Sequence, residues 1–129
     1  MNQTKILIVD DDPSISRMMR VVLERMGGYL VREENRAAAA LETAWEFAPD
    51  LIVLDEHMDG VHGGAVEAAL HAEPVLESVP VLLATDRIKP TISVRCGGET
   101  VLTRAIDPNV LLARVSALLA SPQQVRLAA

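Results

Sequence analysis

Three short apolar runs constrain this chain more than any other feature. Ile6-Leu-Ile-Val9, Leu51-Ile-Val-Leu54 and Val81-Leu-Leu-Ala84 each pass without a polar interruption. They are too short for buried helices, and their lack of alternation describes strands covered on both faces, the habit of parallel sheets. The segments between them carry helical periodicity. Ile15, Met18, Met19, Val22, Leu23 and Met26 recur at three- and four-residue steps, an amphipathic helix whose methionines belong to the core. Asp12 and Pro13 are its expected cap and first residue, and Gly27-Gly28 its stop.

The rest of the chain continues the alternation. Tyr29-Leu-Val31 reads as a second strand, and Ala37, Ala40, Leu41, Ala44, Trp45 and Ala48 as a second helix ended by Pro49. Val66, Ala69 and Leu70 suggest a third helix from about Gly64 to Ala72. Val101-Leu102 reads as a short fifth strand, and Leu111, Val115, Leu118 and Leu119 as a last helix started by Asp107-Pro108. Between Asp86 and Gly98, Pro90 and the β-branched residues after it leave one short or distorted fourth helix, or none. The expectation is an α/β fold, a doubly wound five-stranded parallel sheet with helices on both faces. Residues 121–129 read as a tail or linker stub.

Composition removes several function classes. At 129 residues the chain is most simply one domain. Its net charge of −6, with scattered Lys and Arg, argues against nucleic-acid binding by this domain. No run approaches the roughly 20 apolar residues of a membrane span. The first residues enter a strand at once, unlike a signal peptide. Cys96 is the one cysteine, so no internal disulfide or cysteine metal cage forms, and it is expected to be a small buried hydrophobe. A cytoplasmic location fits these features.

In a parallel sheet of this kind, sites form at the carboxyl ends of the strands. Here those ends carry Asp10 and Asp11, Asp55, Thr85, and Thr103-Arg104. Carboxylates crowded into one crevice repel, so one holds a proton or all share a cation. A hard ion with oxygen ligands, Mg²⁺ by preference, answers that need. With a hydroxyl at Thr85 and a fixed positive charge at Arg104, the set describes phosphoryl transfer, with Asp55 as nucleophile and an aspartyl phosphate as product. The plainer readings stand beside it. An aspartate run before proline also caps a helix, although one residue suffices and Asp12 is that residue. Arg104 also suits an ordinary surface salt bridge, and His57, His62 and His71 lack metal-ligand spacing and read as solvent-exposed.

These residues resemble the receiver domain of two-component response regulators. The matching pieces are Ile6-Leu-Ile-Val-Asp-Asp-Asp-Pro-Ser14, Pro49-Asp-Leu-Ile-Val-Leu-Asp55, Met58-Asp-Gly60 with Gly63, Pro80-Val-Leu-Leu-Ala-Thr85, and Leu102-Thr-Arg104 before Asp107-Pro108. The resemblance spans residues 1–120 and implies a flavodoxin-like strand order 2-1-3-4-5. It implies phosphoryl uptake from a sensor histidine kinase onto Asp55, and signalling through a downstream protein partner or a fused output domain. It implies Mg²⁺ held by Asp10, Asp11, Asp55 and the backbone carbonyl of His57, with Thr85 bonding a phosphoryl oxygen. Such a chain catalyses at most its own phosphorylation and dephosphorylation.

Several positions depart from the family pattern. Arg104 stands where the family has a lysine, Ala105 where it has a proline in a cis bond, and Val101 where an aromatic ring swings inward. A cis bond before a non-proline costs about 2.5–4 kcal/mol, so a trans peptide is expected at Ala105. Asp86 adds negative charge beside the pocket, and Asp59 and His62 replace a proline and an acidic residue. These changes support a second reading, a receiver-like module that docks or dimerises without phosphorylation. Ile88, Ile92 and Val94 are candidates for a homodimer face. A minor third reading is a small Mg²⁺-dependent phosphohydrolase, because Asp10-Asp-Asp-Pro-Ser14 matches a short motif of haloacid-dehalogenase-like enzymes; Lys89 is a poor candidate for the lysine they require.

Overall fold

In a computed structural model of the chain, residues 3–58, 60–85 and 88–120 are described, with backbone alone for residues 92–96 and 101–104. Strands β1 (Lys5–Val9), β2 (Leu30–Glu34), β3 (Leu51–Asp55) and β6 (Val81–Ala84) form a parallel sheet in the order β2-β1-β3-β6. Helices α1 (Pro13–Gly27), α2 (Ala40–Phe47), α3 (Gly63–His71) and α4 (Pro108–Ala120) cover it, and a single 3₁₀ turn, Ala37–Ala39, leads into α2. A two-residue pair, β4 (His57–Met58) with β5 (Val61–His62), follows β3.

The uniform apolar runs are explained by two cores, one on each face of the sheet. Alternate residues of a strand point to opposite faces. Ile6, Ile8, Leu51, Val53, Leu82 and Ala84 pack with α1 and α4 through Ile15, Met19, Leu23, Leu111 and Val115. Leu7, Val9, Ile52 and Leu54 pack on the other side with Ala40, Ala44 and Leu70. Each central strand therefore has no solvent face, and none of its inward positions tolerates a polar residue. Both helix starts follow the expected chemistry. Asp12 accepts from the Ser14 amide at 3.0 Å, and Asp107 accepts from the Asn109 and Val110 amides, each at 3.2 Å.

The main difference from expectation lies between residues 91 and 104. The expected fifth parallel strand is instead β8 (Glu99–Arg104), paired antiparallel with β7 (Thr91–Cys96) in a separate two-stranded sheet. No helix occupies this stretch. A parallel partner needs a crossover of a dozen or more residues, whereas a hairpin needs only a tight turn. Gly97 and Gly98 provide that turn, with φ of 59° and 89°, the left-handed pair that two-residue hairpin loops demand. At the hairpin base, the Ala105 amide donates to the Pro90 carbonyl at 3.2 Å and the Asp107 amide to Ile88 at 2.8 Å.

Smaller corrections follow from burial. Met19 is fully buried, but Met18 and Met26 are exposed, so the methionines of α1 are only partly core. Trp45 is exposed as well, and Ile88 is buried against the α1–α4 core, which removes it from a homodimer face. No cis peptide occurs among the described residues, consistent with a trans bond at Ala105. The side chains of Ile92, Val94 and Cys96, residues Asp59 and Asp86, and the tail at 121–129 lie outside the described residues. Among the described residues, no helix is long and apolar enough to cross a membrane.

Candidate functional site

The carboxyl ends of β1 and β3 lie side by side, because Val9 pairs with Leu54 in register. One residue further on, Asp10 and Asp55 emerge at the same edge. Asp10, Asp11 and Asp55 each offer a carboxylate oxygen within 4.8 Å of the others. They line a cavity of about 200 Å³ together with Asp12, Ile15, Glu56, His57, Ala84 and Lys89. Asp10 and Asp55 are only 1% and 6% exposed.

Asp10 is held from several directions. Its Oδ1 accepts from the Asp12 amide at 2.9 Å. Asn35 donates to the Asp10 carbonyl at 2.8 Å and to Ser16 Oγ at 2.9 Å, and Ser16 in turn donates to Glu33 at 2.6 Å. Burial pushes the Asp10 carboxyl up and the Asp55 carboxylate adds to that, outweighing the Asp12 amide and the Lys89 ammonium, which pull it down. A backbone contact tightens the Asp55 side. The Gly63 amide donates to the Glu56 carbonyl at 2.7 Å, and a Cβ at position 63 would lie 2.7 Å from the Asp55 carbonyl oxygen. Only glycine permits that approach.

At the centre of the pocket lies a residue that the sequence offered only as a poor candidate for a phosphohydrolase lysine. Lys89 is 4% exposed; its Nζ donates to Asp10 Oδ2 at 3.2 Å and also to Asp55 Oδ1. The Ile88 and Lys89 amides both donate to the Thr85 carbonyl, at 3.0 and 2.9 Å. That single turn folds Lys89 back over the strand ends. A buried ammonium is costly unless paired, and two carboxylates meet that requirement. The signal available in the sequence was a lysine within one turn of the β6 end.

The other expected site residues divide into three groups. Asp10, Asp11, Asp55 and His57 come together at the cavity. Thr85 follows Ala84 at the end of β6, but Ala84 is the residue lining the cavity. Arg104 ends β8 opposite Thr91; its side chain, that of Val101, and Asp86 lie outside the described residues. His57 and His62 are exposed and meet edge to face at 5.5 Å, and His62 Nδ1 accepts from the Gly64 amide at the start of α3. His71 is half-buried and bonds the Val79 carbonyl at 2.9 Å.

The donor set fits a hard divalent cation. Asp10, Asp11 and Asp55 set against the Lys89 ammonium leave two negative charges when all are ionised, Asp12 and Glu56 of the cavity wall add to them, and every ligand atom the cluster offers is an oxygen.

Comparison with known proteins places the chain in a family. The model of the response regulator receiver domain matches residues 6–116. The transcriptional regulator RpaA of Synechocystis, described as DNA-binding, is 35% identical over 97% of this chain and 53% of its own length. Protein PilH of Pseudomonas aeruginosa is 29% identical over 90% of this chain and 98% of its own length. Among solved structures, the signal receiver domain of a histidine kinase from Syntrophus aciditrophicus superposes with a TM-score of 0.69 at 28% identity. It covers 91% of this chain and 90% of that one. The chain spans about half the length of the DNA-binding relatives it matches. With its paired strand ends, acidic pocket and matched span from β1 into α4, this chain belongs to the response regulator receiver domain family.

Proposed function

We propose that this receiver takes a phosphoryl group from a sensor histidine kinase onto Asp55, and that a downstream protein partner or fused output domain reads the result. The observation carrying this reading is the convergence of Asp10, Asp11 and Asp55 on one cavity with a buried cation beside the acceptor. An Asp55 oxygen attacks phosphorus as the bond to the donor histidine nitrogen breaks, and the freed imidazole takes up a proton. Asp10, Asp11, Asp55 and the His57 carbonyl would hold Mg²⁺, whose charge would offset that on the transferring group. Asp10 is oriented for this by Asn35 and the Asp12 amide. In the ion-free pocket Lys89 supplies the positive charge next to the acceptor that was first expected of Arg104, and Thr85, one residue beyond the cavity wall at Ala84, is the hydroxyl to turn in toward a phosphoryl oxygen. The chain acts on itself and on its partner rather than turning over a small substrate.

Lys89 also favours a second reading. An ammonium already bridging Asp10 and Asp55 serves as a permanent counter-ion in a module that docks without phosphorylation. Incubation with Mg²⁺ and acetyl phosphate, followed by intact-mass measurement, separates the two. A gain of one phosphoryl group in the wild type and none in Asp55→Asn supports phosphorylation. No gain in either supports the second reading.

A further inference from the structure

We propose that Lys89 is a built-in cation that competes with the divalent ion for Asp10 and Asp55 and carries the occupancy of the pocket to the β7–β8 hairpin. The inference rests on the reading of the pocket as a Mg²⁺ site. The Lys89 ammonium contacts two of the three carboxylates that an ion would share, one from β1 and one from β3. Two cations close together on the same oxygens repel, so the ion binds as the ammonium withdraws.

The withdrawal has a direct route into the hairpin. Pro90 is the next residue and β7 begins at Thr91. The two roots of the hairpin are tied by the Ala105-to-Pro90 and Asp107-to-Ile88 hydrogen bonds. Ile88 and Ile106 are both buried in the α1–α4 core, which fixes one side of this segment while Lys89 reaches across into the pocket. Movement of the Lys89 backbone is thereby passed to Pro90 and the first pair of the ladder, Thr91 with Arg104. The hairpin is the element this chain has where a fifth parallel strand was expected. Pocket and hairpin are thus joined through one residue.

The lysines of the chain are Lys5 and Lys89, which makes a labelling test clean. Lys5 Nζ donates to the Phe47 carbonyl, near the start of β3, away from the acidic cavity. Wild-type protein is acylated with an amine-reactive ester with and without Mg²⁺, no phosphoryl donor being present, and each lysine is quantified by peptide mass spectrometry. Mg²⁺ is expected to raise Lys89 labelling about five-fold or more and leave Lys5 unchanged, as release of a buried amine requires. Unchanged or reduced Lys89 labelling overturns the proposal.

Calorimetry of Mg²⁺ binding to Lys89→Met and Lys89→Gln gives a second reading. Removing the competing charge is expected to tighten binding about ten-fold; equal or weaker binding in both variants overturns it. Binding by the variants alone also supports it, and binding by none of the three proteins overturns it. Amide resonances of residues 91–105 are expected to shift with Mg²⁺ in the wild type and not in Lys89→Met; an unmoved hairpin in the wild type overturns the coupling. Failure of the acetyl phosphate reaction with Lys89 still released by Mg²⁺ would sink the phosphorylation reading alone. Phosphorylation with Lys89 labelling unchanged would sink this inference alone.

Discussion

Gly63 shows how one residue away from the chemistry governs the site. A methyl group there would meet the Asp55 carbonyl and the Glu56 Cα at 2.7 and 3.0 Å, both backbone atoms that cannot swing aside. Gly63→Ala is therefore expected to destabilise the fold by about 1–3 kcal/mol, measured by urea unfolding, and to slow Asp55 phosphorylation by displacing its backbone. Glu34, at the end of β2, offers a pH test away from the pocket. Burial pushes its carboxyl up, but the Thr43 hydroxyl at 2.6 Å, the Arg36 amide and the Arg36 charge outweigh this and hold it below its ordinary value of 4.5. A depressed carboxyl contributes stability above that value and loses it as pH falls through the folded pKa. Thr43→Val is expected to be about 1–2 kcal/mol less stable than wild type at pH 7. The gap narrows as the solution is acidified below 4.5, followed by thermal unfolding across pH.

At the scale of elements, the helix ends test the local reading. Asp12→Ala removes the acceptor for the Ser14 amide and hydroxyl and is expected to cost about 1 kcal/mol of stability. Ala48 closes α2 in the left-handed region at φ 52°, on the surface. Ala48→Gly relieves that conformation and is expected to stabilise the protein by roughly 0.5–1 kcal/mol in chemical denaturation. The same chemistry shows which elements were legible beforehand. Strands β1, β3 and β6 and helices α1 and α4 were readable because apolar runs, caps and prolines all agreed. The hairpin was readable in principle, since Gly97-Gly98 separates two β-branched segments. It was missed because Val101-Leu102 also fits a fifth strand of the resembled fold, and two apolar residues cannot decide between parallel and antiparallel partners. The exposed Met18 and Met26 were missed because periodicity locates a helical stripe but not its edges.

For the whole molecule, function depends on what the sheet brings to one edge. The chain places Asp10 and Asp55 forty-five positions apart in sequence and side by side in space, a juxtaposition expected from the carboxyl-end rule for parallel sheets and found in the structure. Lys89 was not legible in that way, because its place depends on a turn closed by the Thr85 carbonyl rather than on any strand. The strand-end reading drew attention to Arg104 instead. The most direct test of the account is to treat the protein with Mg²⁺ and acetyl phosphate, reduce it with borohydride, and identify the modified peptide. Reduction of an acyl phosphate to homoserine at position 55, dependent on Mg²⁺, is the predicted result. An unmodified Asp55 under conditions where the protein remains folded and Mg²⁺ is bound would contradict it.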